Sequence, residues 1–124
     1  SVIYELHVAG FTKRPNSGIP SGKRGTYAGL IEKIPYLRQL GVMTVELMPV
    51  QQFDPQDAPS GVNYWGYQPV AWFAPHAGYS SEQSPLGAVD EFRDLVVNGI
   101  APDGTVAEWR QRIKNDIGHD DDDD

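Results

Sequence analysis

The chain of 124 residues contains no cysteine, which excludes disulfides, thiolate metal sites and cysteine nucleophiles. It also lacks a long apolar run: nothing approaches the roughly 18 consecutive apolar residues of a membrane span, and no signal-peptide pattern opens it. Basic residues are few, 10 Lys and Arg against 17 Asp and Glu, giving a formal net charge of −7. They are scattered, so neither nucleic acid nor an anionic membrane surface is an expected partner. The acidity says little about the folded part, because five of the charges form the terminal run Asp120–Asp124 and about −2 remains without them. No internal repeat is visible, and the His and acid spacing suggests no metal cage, so neither metal nor cofactor is expected. The cytoplasm is the default compartment, and a start at Ser1 almost directly into a strand suggests a trimmed piece.

At 40% hydrophobic residues the chain has the size and composition of one ordinary domain with a real core. Its most distinctive stretch is Gly61–Pro75, GVNYWGYQPVAWFAP, which sets Tyr64, Trp65, Tyr67, Trp72 and Phe73 within ten residues. Rings this dense, flanked by the amides of Asn63 and Gln68 and opened by Gly61 and Gly66, suit stacking on a flat, polyhydroxylated partner such as a sugar ring. Packing at the end of a sheet is the competing reading, since aromatics are most often core.

Taken in order, Val2–Val8 is β-rich and reads as a strand. Ala9–Gly25 carries Pro15, Gly18, Pro20, Gly22 and Gly25 and reads as a surface loop. Its SGKRG, Ser21–Gly25, lacks the spacing and the preceding strand of a phosphate loop. Thr26 can cap a helix to about Leu40, with Leu30, Ile31, Ile34 and Leu37 as its apolar stripe, Pro35 as a kink and Gly41 as its stop. Val42–Val50 is near-continuously apolar, the pattern of a strand covered on both faces, so strand, helix and strand predict a βαβ unit with parallel strands. Gln51–Ser60 is a polar, Pro-rich loop leading into the aromatic stretch, and a further loop runs through Gly78–Gly87. Phe92, Leu95 and Val96 place a helix from about Ala88 to Val97. Beyond it, Thr105 and Glu108 stand at capping-box spacing before a weakly amphipathic helix over Val106–Asp116, and the acidic end resembles processing or foreign sequence.

The segments VIYELHVAGFT, GTYAGLIEKIPYLRQLGVMTVELMPVQQFD, NYWGYQPVAWFAPHAGYSS and VDEFRDLV together resemble the start of the catalytic barrel of glycoside hydrolase family 13, in the isoamylase, glycogen-debranching and branching-enzyme group. The likeness runs over about Val2–Val97. It implies an α/β fold, a partial, truncated TIM (β/α)8 barrel of about two parallel strands and two to three helices. Residues 1–97 would form that partial barrel, 98–117 a divergent C-terminal helix, and 118–124 a tail that is disordered or foreign to the native chain. The resemblance further implies that Tyr67 stacks under the glucose unit at the cleavage subsite, that Tyr64 and Trp65 shape the same pocket, and that His7 packs near the barrel mouth. Sites in such barrels lie at the C-terminal ends of the strands.

After the second helix the family continues into Asp-Val-Val-x-Asn-His, whereas this chain reads NGIAPDGTVAEWRQRIKNDIGH. No residue here matches the family's Asp nucleophile, Glu acid/base or stabilising Asp. Retaining glycosidases need two carboxyls about 5–5.5 Å apart across the scissile bond. Glu5 and Glu46, at comparable places in the first and second strands, are the substitute candidates, against the plainer reading of solvated or ion-paired strand residues with Lys33 or Arg38 as partners. Asp54 and Asp57 read as turn residues and His76 as a loop residue. The expected function is therefore that of an α-glucan-acting glycoside hydrolase-like protein with weak or unconventional activity; a non-catalytic glucan-binding or structural fragment is the alternative. Its expected partner is an α-glucan or maltooligosaccharide. Two strands cannot close a barrel, so free edges and an apolar face predict a homo-oligomer, most simply a dimer.

Overall fold

The structure, a computed structural model, describes residues 2–99. Strand β1, Ile3–Leu6, pairs in parallel with β2, Thr44–Leu47, in a register that sets Ile3 against Thr44, Tyr4 against Val45, Glu5 against Glu46 and Leu6 against Leu47. The expected parallel pair is thus present, trimmed at both ends. Pro49 has no N–H for a ladder, and the chain turns away past Leu47.

Two expected loops contain regular structure. Helix α1, Val8–Thr12, follows β1 directly and a 3-10 turn forms at Pro15–Ser17, so Ala9–Gly25 is not irregular throughout. Five residues are too few to show a helical period, and the cap is the His7 ring, which accepts from Gly10 N–H at 3.0 Å in place of the usual Ser, Thr, Asp or Asn. Past β2, the stretch read as loop forms a second sheet: β3, Gln51–Phe53, pairs antiparallel with β4, Pro69–Pro75, through an irregular register. Trp72 and Phe73 therefore belong to a strand. A three-residue strand facing one that begins and ends in proline leaves almost no alternation to read.

The crossover between β1 and β2 is two helices, α2 at Tyr27–Glu32 and α3 at Ile34–Gln39. Thr26 caps the first, accepting from Gly29 N–H at 3.2 Å. Pro35 lies in the first turn of the second, where its missing N–H does no harm; carried inside one long helix it would remove a hydrogen bond to Ile31, so the helix breaks at Lys33 instead of kinking. Gly41, at φ +83°, ends α3 with its N–H on the Arg38 carbonyl. Helix α4, Gly87–Asn98, matches the expected helix within a residue at each end and packs on α2. The expected helix over Val106–Asp116, most of the 98–117 segment and the 118–124 tail lie outside the described residues.

The core joins Leu6, Val8, Tyr27, Leu30, Ile34, Leu37, Val45, Leu47, Val50, Phe53, Tyr79 and Leu95. A buried carboxylate ties its far side together. Glu91 on α4 accepts from the Ser80 and Ser81 hydroxyls and Glu82 N–H, each at 2.8 Å, and from Ala28 N–H in the first turn of α2 at 3.1 Å. Burial pushes its pKa up, but the donors from Ser81, Ser80 and Glu82 outweigh this and hold it below the usual carboxylate value. The stability it adds is present above about pH 4.5 and lost as pH falls below that. Glu91→Ala strands these donors and is expected to lower the unfolding free energy by about 2–4 kcal/mol in urea melts at neutral pH. Arg93→Ala, which breaks the exposed pair with Asp90, is expected to change it by less than about 0.5 kcal/mol.

Candidate functional site

Past the end of β1 the His7 ring meets the aromatic loop. Its plane lies 5° from that of Tyr64 with centroids 4.2 Å apart, and it stands edge-on to Trp65 at 5.6 Å. Since Nδ1 accepts from Gly10, the proton belongs on Nε2, which donates to the Tyr64 carbonyl at 2.7 Å. The Tyr79 hydroxyl oxygen lies 3.2 Å from the same nitrogen. Burial lowers the His7 pKa, the bond to the Tyr64 carbonyl opposes this, and the charge of Lys13 lowers it further. The ring is therefore neutral at physiological pH.

The loop holds itself in shape through Asn63, whose Oδ1 accepts from Gly66 N–H at 3.1 Å and whose Nδ2 donates to the Tyr67 carbonyl at 2.8 Å. Gly66 has φ +83°, and a Cβ there would stand 2.9 Å from the Phe53 ring, so both backbone angle and space demand glycine. The turn leaves Tyr64, Trp65 and Tyr67 40%, 52% and 55% exposed. Tyr67 makes no ring contact among the described residues. The structure thus brings together four of the sequence-derived residues, His7, Asn63, Tyr64 and Trp65, with Tyr67 joined to Asn63 through its backbone.

Glu5 and Glu46 are direct register partners, one residue inside the strand ends, and in a parallel pair such residues project to the same face. Lys33 stands over the Tyr36 ring at 5.4 Å. Among the described residues no group of three His, Asp or Glu is placed to hold a metal ion. No described helix is long and apolar enough to cross a membrane.

Two residues that sequence reasoning passed over support the site from below. Tyr79, expected in a loop, is buried against His7, Tyr27, Phe53 and His76. His76, read as a loop residue, is buried with its ring stacked on Phe53 at 3.7 Å, and burial pushes its pKa down to about 4. The signal was present in APHAGYSS, but a His and a Tyr in a Gly- and Pro-bearing stretch show no periodicity.

A parallel strand, helix and strand unit with a ring-bearing loop beyond the strand ends defines the class: a segment of an amylase-type (β/α)8 catalytic module, the architecture of its structural neighbours. No model of a protein family matches the chain. It is 43% identical over 103 residues to isoamylase 3, chloroplastic, of Oryza sativa subsp. japonica, covering 77% of this chain and 13% of that protein. It is 46% identical over 101 residues to the glycogen debranching enzyme of Klebsiella pneumoniae subsp. pneumoniae, covering 77% of this chain and 15% of that protein. Among solved structures, a Group B Streptococcus pullulanase in complex with maltotetraose superposes with a TM-score of 0.66 at 32% identity, over 80% of this chain and 14% of that one. The chain belongs to glycoside hydrolase family 13, in its isoamylase and glycogen-debranching group, and spans about one seventh of the length of these relatives.

A neutral buried His becomes an acid lability. The unfolded chain takes up a proton near pH 6.5 that folded His76 refuses until about 4, so stability falls as pH drops through this window and is constant above it. Urea midpoints are expected to fall by the equivalent of on the order of 2 kcal/mol between neutral pH and pH 4.5, and His76→Asn is expected to flatten most of that slope. Gly66→Ala is expected to cost about 1–3 kcal/mol in the same melts through its backbone angle and its collision with Phe53.

Proposed function

We propose that the chain supplies the opening strands and the sugar-stacking loop of an isoamylase-type barrel, and that its ligand is an α-glucan or maltooligosaccharide. One observation carries this reading: Tyr64, Trp65 and Tyr67 stand exposed together in a loop pinned by Asn63 and His7, in a chain 43% and 46% identical to an isoamylase and a glycogen debranching enzyme. Tyr67 is the platform under one glucose unit, and Tyr64 and Trp65 shape the wall beside it. Asn63 and His7 act mainly by holding that wall. The cytoplasmic placement expected from the sequence stays part of this proposal.

Any hydrolysis by this chain falls to Glu5 and Glu46, the register partners of β1 and β2, whose carboxyls leave the same face of the pair. Self-association completes the proposal. Val2, Ile3 and Met43 are exposed large apolar residues on and beside the β1–β2 pair, and among the described residues each of these strands is paired on one edge alone. A second copy is the simplest cover.

Tyr67→Ala is expected to weaken maltotetraose binding by about 1–3 kcal/mol in calorimetry; an unchanged affinity rejects the platform. Reducing sugar released from starch by protein free of host amylases is expected to disappear in Glu5→Gln and Glu46→Gln variants. Activity that survives both removes this pair. Sedimentation is expected to give a dimer, and a monodisperse monomer rejects self-association.

A further inference from the structure

One buried imidazole performs three tasks at once. His7 caps α1 through Nδ1, fixes the aromatic loop through Nε2 on the Tyr64 carbonyl, and stacks on the Tyr64 ring that Trp65 meets edge-on at 5.0 Å. The fit allows no slack. A methyl group on Gly10 would collide with the Tyr64 hydroxyl, so α1 and the ring are in direct contact. Beneath, the Tyr79 hydroxyl oxygen accepts the second branch of the Nε2–H bond, and the Tyr79 ring stands 74° to the imidazole. Tyr79 is itself held by Tyr27, Phe53 and His76, so the orientation of the surface rings is referred back to the core.

We propose that His7 and Tyr79 are positioning residues for the exposed rings, and that neutral His7 is the state that presents Tyr64 and Trp65 to a ligand. Adding a proton to Nδ1 sets two N–H donors, Gly10 and the imidazolium, against each other across 3.0 Å. The cap opens and the ring leaves the stack. Burial disfavours the charged form most, the Tyr64 carbonyl favours it, and Lys13 at the end of α1 opposes it, while the facing rings of Tyr64 and Tyr79 bring no carboxylate. Glu5, two residues earlier on β1, is the nearest acid along the chain, and His76 lies on the far side of Tyr79. Ligand affinity is therefore linked to the protonation of His7, present while the ring is neutral and lost as pH falls through its lowered pKa.

The ligand half of this inference rests on the glucan reading above, and the ring half does not. The test compares the full chain with His7→Gln, whose amide can accept from Gly10 and donate to the Tyr64 carbonyl but cannot titrate. The variant, which lacks the imidazole stack, is expected to start weaker near pH 7.5 and to hold its maltotetraose affinity as pH falls, whereas the parent is expected to lose affinity relative to it by at least about fivefold across the titration of His7. Acid effects at His76 and Glu91 are common to both proteins and cancel in this ratio. A ratio that does not change with pH overturns the proposal. Without any sugar, nuclear magnetic resonance of the Tyr64 ring protons is expected to show loss of their stacking shift as His7 titrates, with the transition moved by Tyr79→Phe. Tyr64 signals that ignore the titration overturn it even where maltotetraose binds. If maltotetraose binds neither protein at any pH while Tyr64 follows His7, the positioning role stands and the glucan reading falls.

Discussion

The rest of the structure depends on a column of buried rings. Phe92 of α4 meets Tyr27 of α2, Tyr27 meets Tyr79, and Tyr79 divides toward the stacked His76 and Phe53 on one side and His7 on the other. Tyr27 is fully buried, and its hydroxyl donates to the His76 carbonyl at 3.2 Å, so it holds the segment after β4 against the helices. Edge-to-face and stacked pairs contribute about 0.5–1.5 kcal/mol each beyond the area they bury. Through this column, α2, α4, β3 and the loop after β4 share one reference point. The exposed aromatic loop is attached at its top through His7. Burial pushes the Tyr27 and Tyr79 phenols well above their ordinary range, so both are neutral at physiological pH.

Against this dense interior the β1–β2 pair is poorly protected. Among the described residues it is a wall two strands wide, and Val2, Ile3 and Met43 on and beside it are exposed apolar side chains. In the pullulanase that superposes on it, the matched region is 14% of the chain, so six sevenths of that protein lies outside the likeness. The helices α2, α3 and α4 bury one face of the unit with ordinary core packing. Among the described residues they leave the outer strand edges uncovered, so the proposed self-association is argued from the geometry of the sheet and not from any weakness of the core.

The sequence made the large features legible for a physical reason: they are periodic. The parallel pair followed from apolar runs separated by a helical stripe, and α4 from Phe92, Leu95 and Val96. The clustering of Tyr64, Trp65 and Tyr67 was plain from composition, and their exposure is what a platform needs. What escaped was short or capped by unusual chemistry. Helix α1 begins on a His ring, β3 is three residues long, and β4 is bounded by prolines. Tyr79 and His76 were invisible for a different reason. Their importance lies in contacts across the fold with residues such as His7 and Phe53, which no local pattern encodes.

Binding and chemistry make different demands on this arrangement. A ring platform stabilises bound sugar whether or not the glycosidic bond is strained, so it contributes to affinity without lowering the barrier. Hydrolysis needs one carboxyl to protonate the leaving oxygen and another to attack or stabilise the sugar from the other face. Glu5 and Glu46 leave the same face of adjoining strands, so they approach a ligand from a single wall. A pair in that position cannot enclose a glycosidic bond alone. The opposing wall must come from elsewhere. In the proposed dimer the same contact that covers the apolar face supplies it, so that assembly and catalysis by this pair stand or fall together, whereas sugar binding on Tyr67 needs neither.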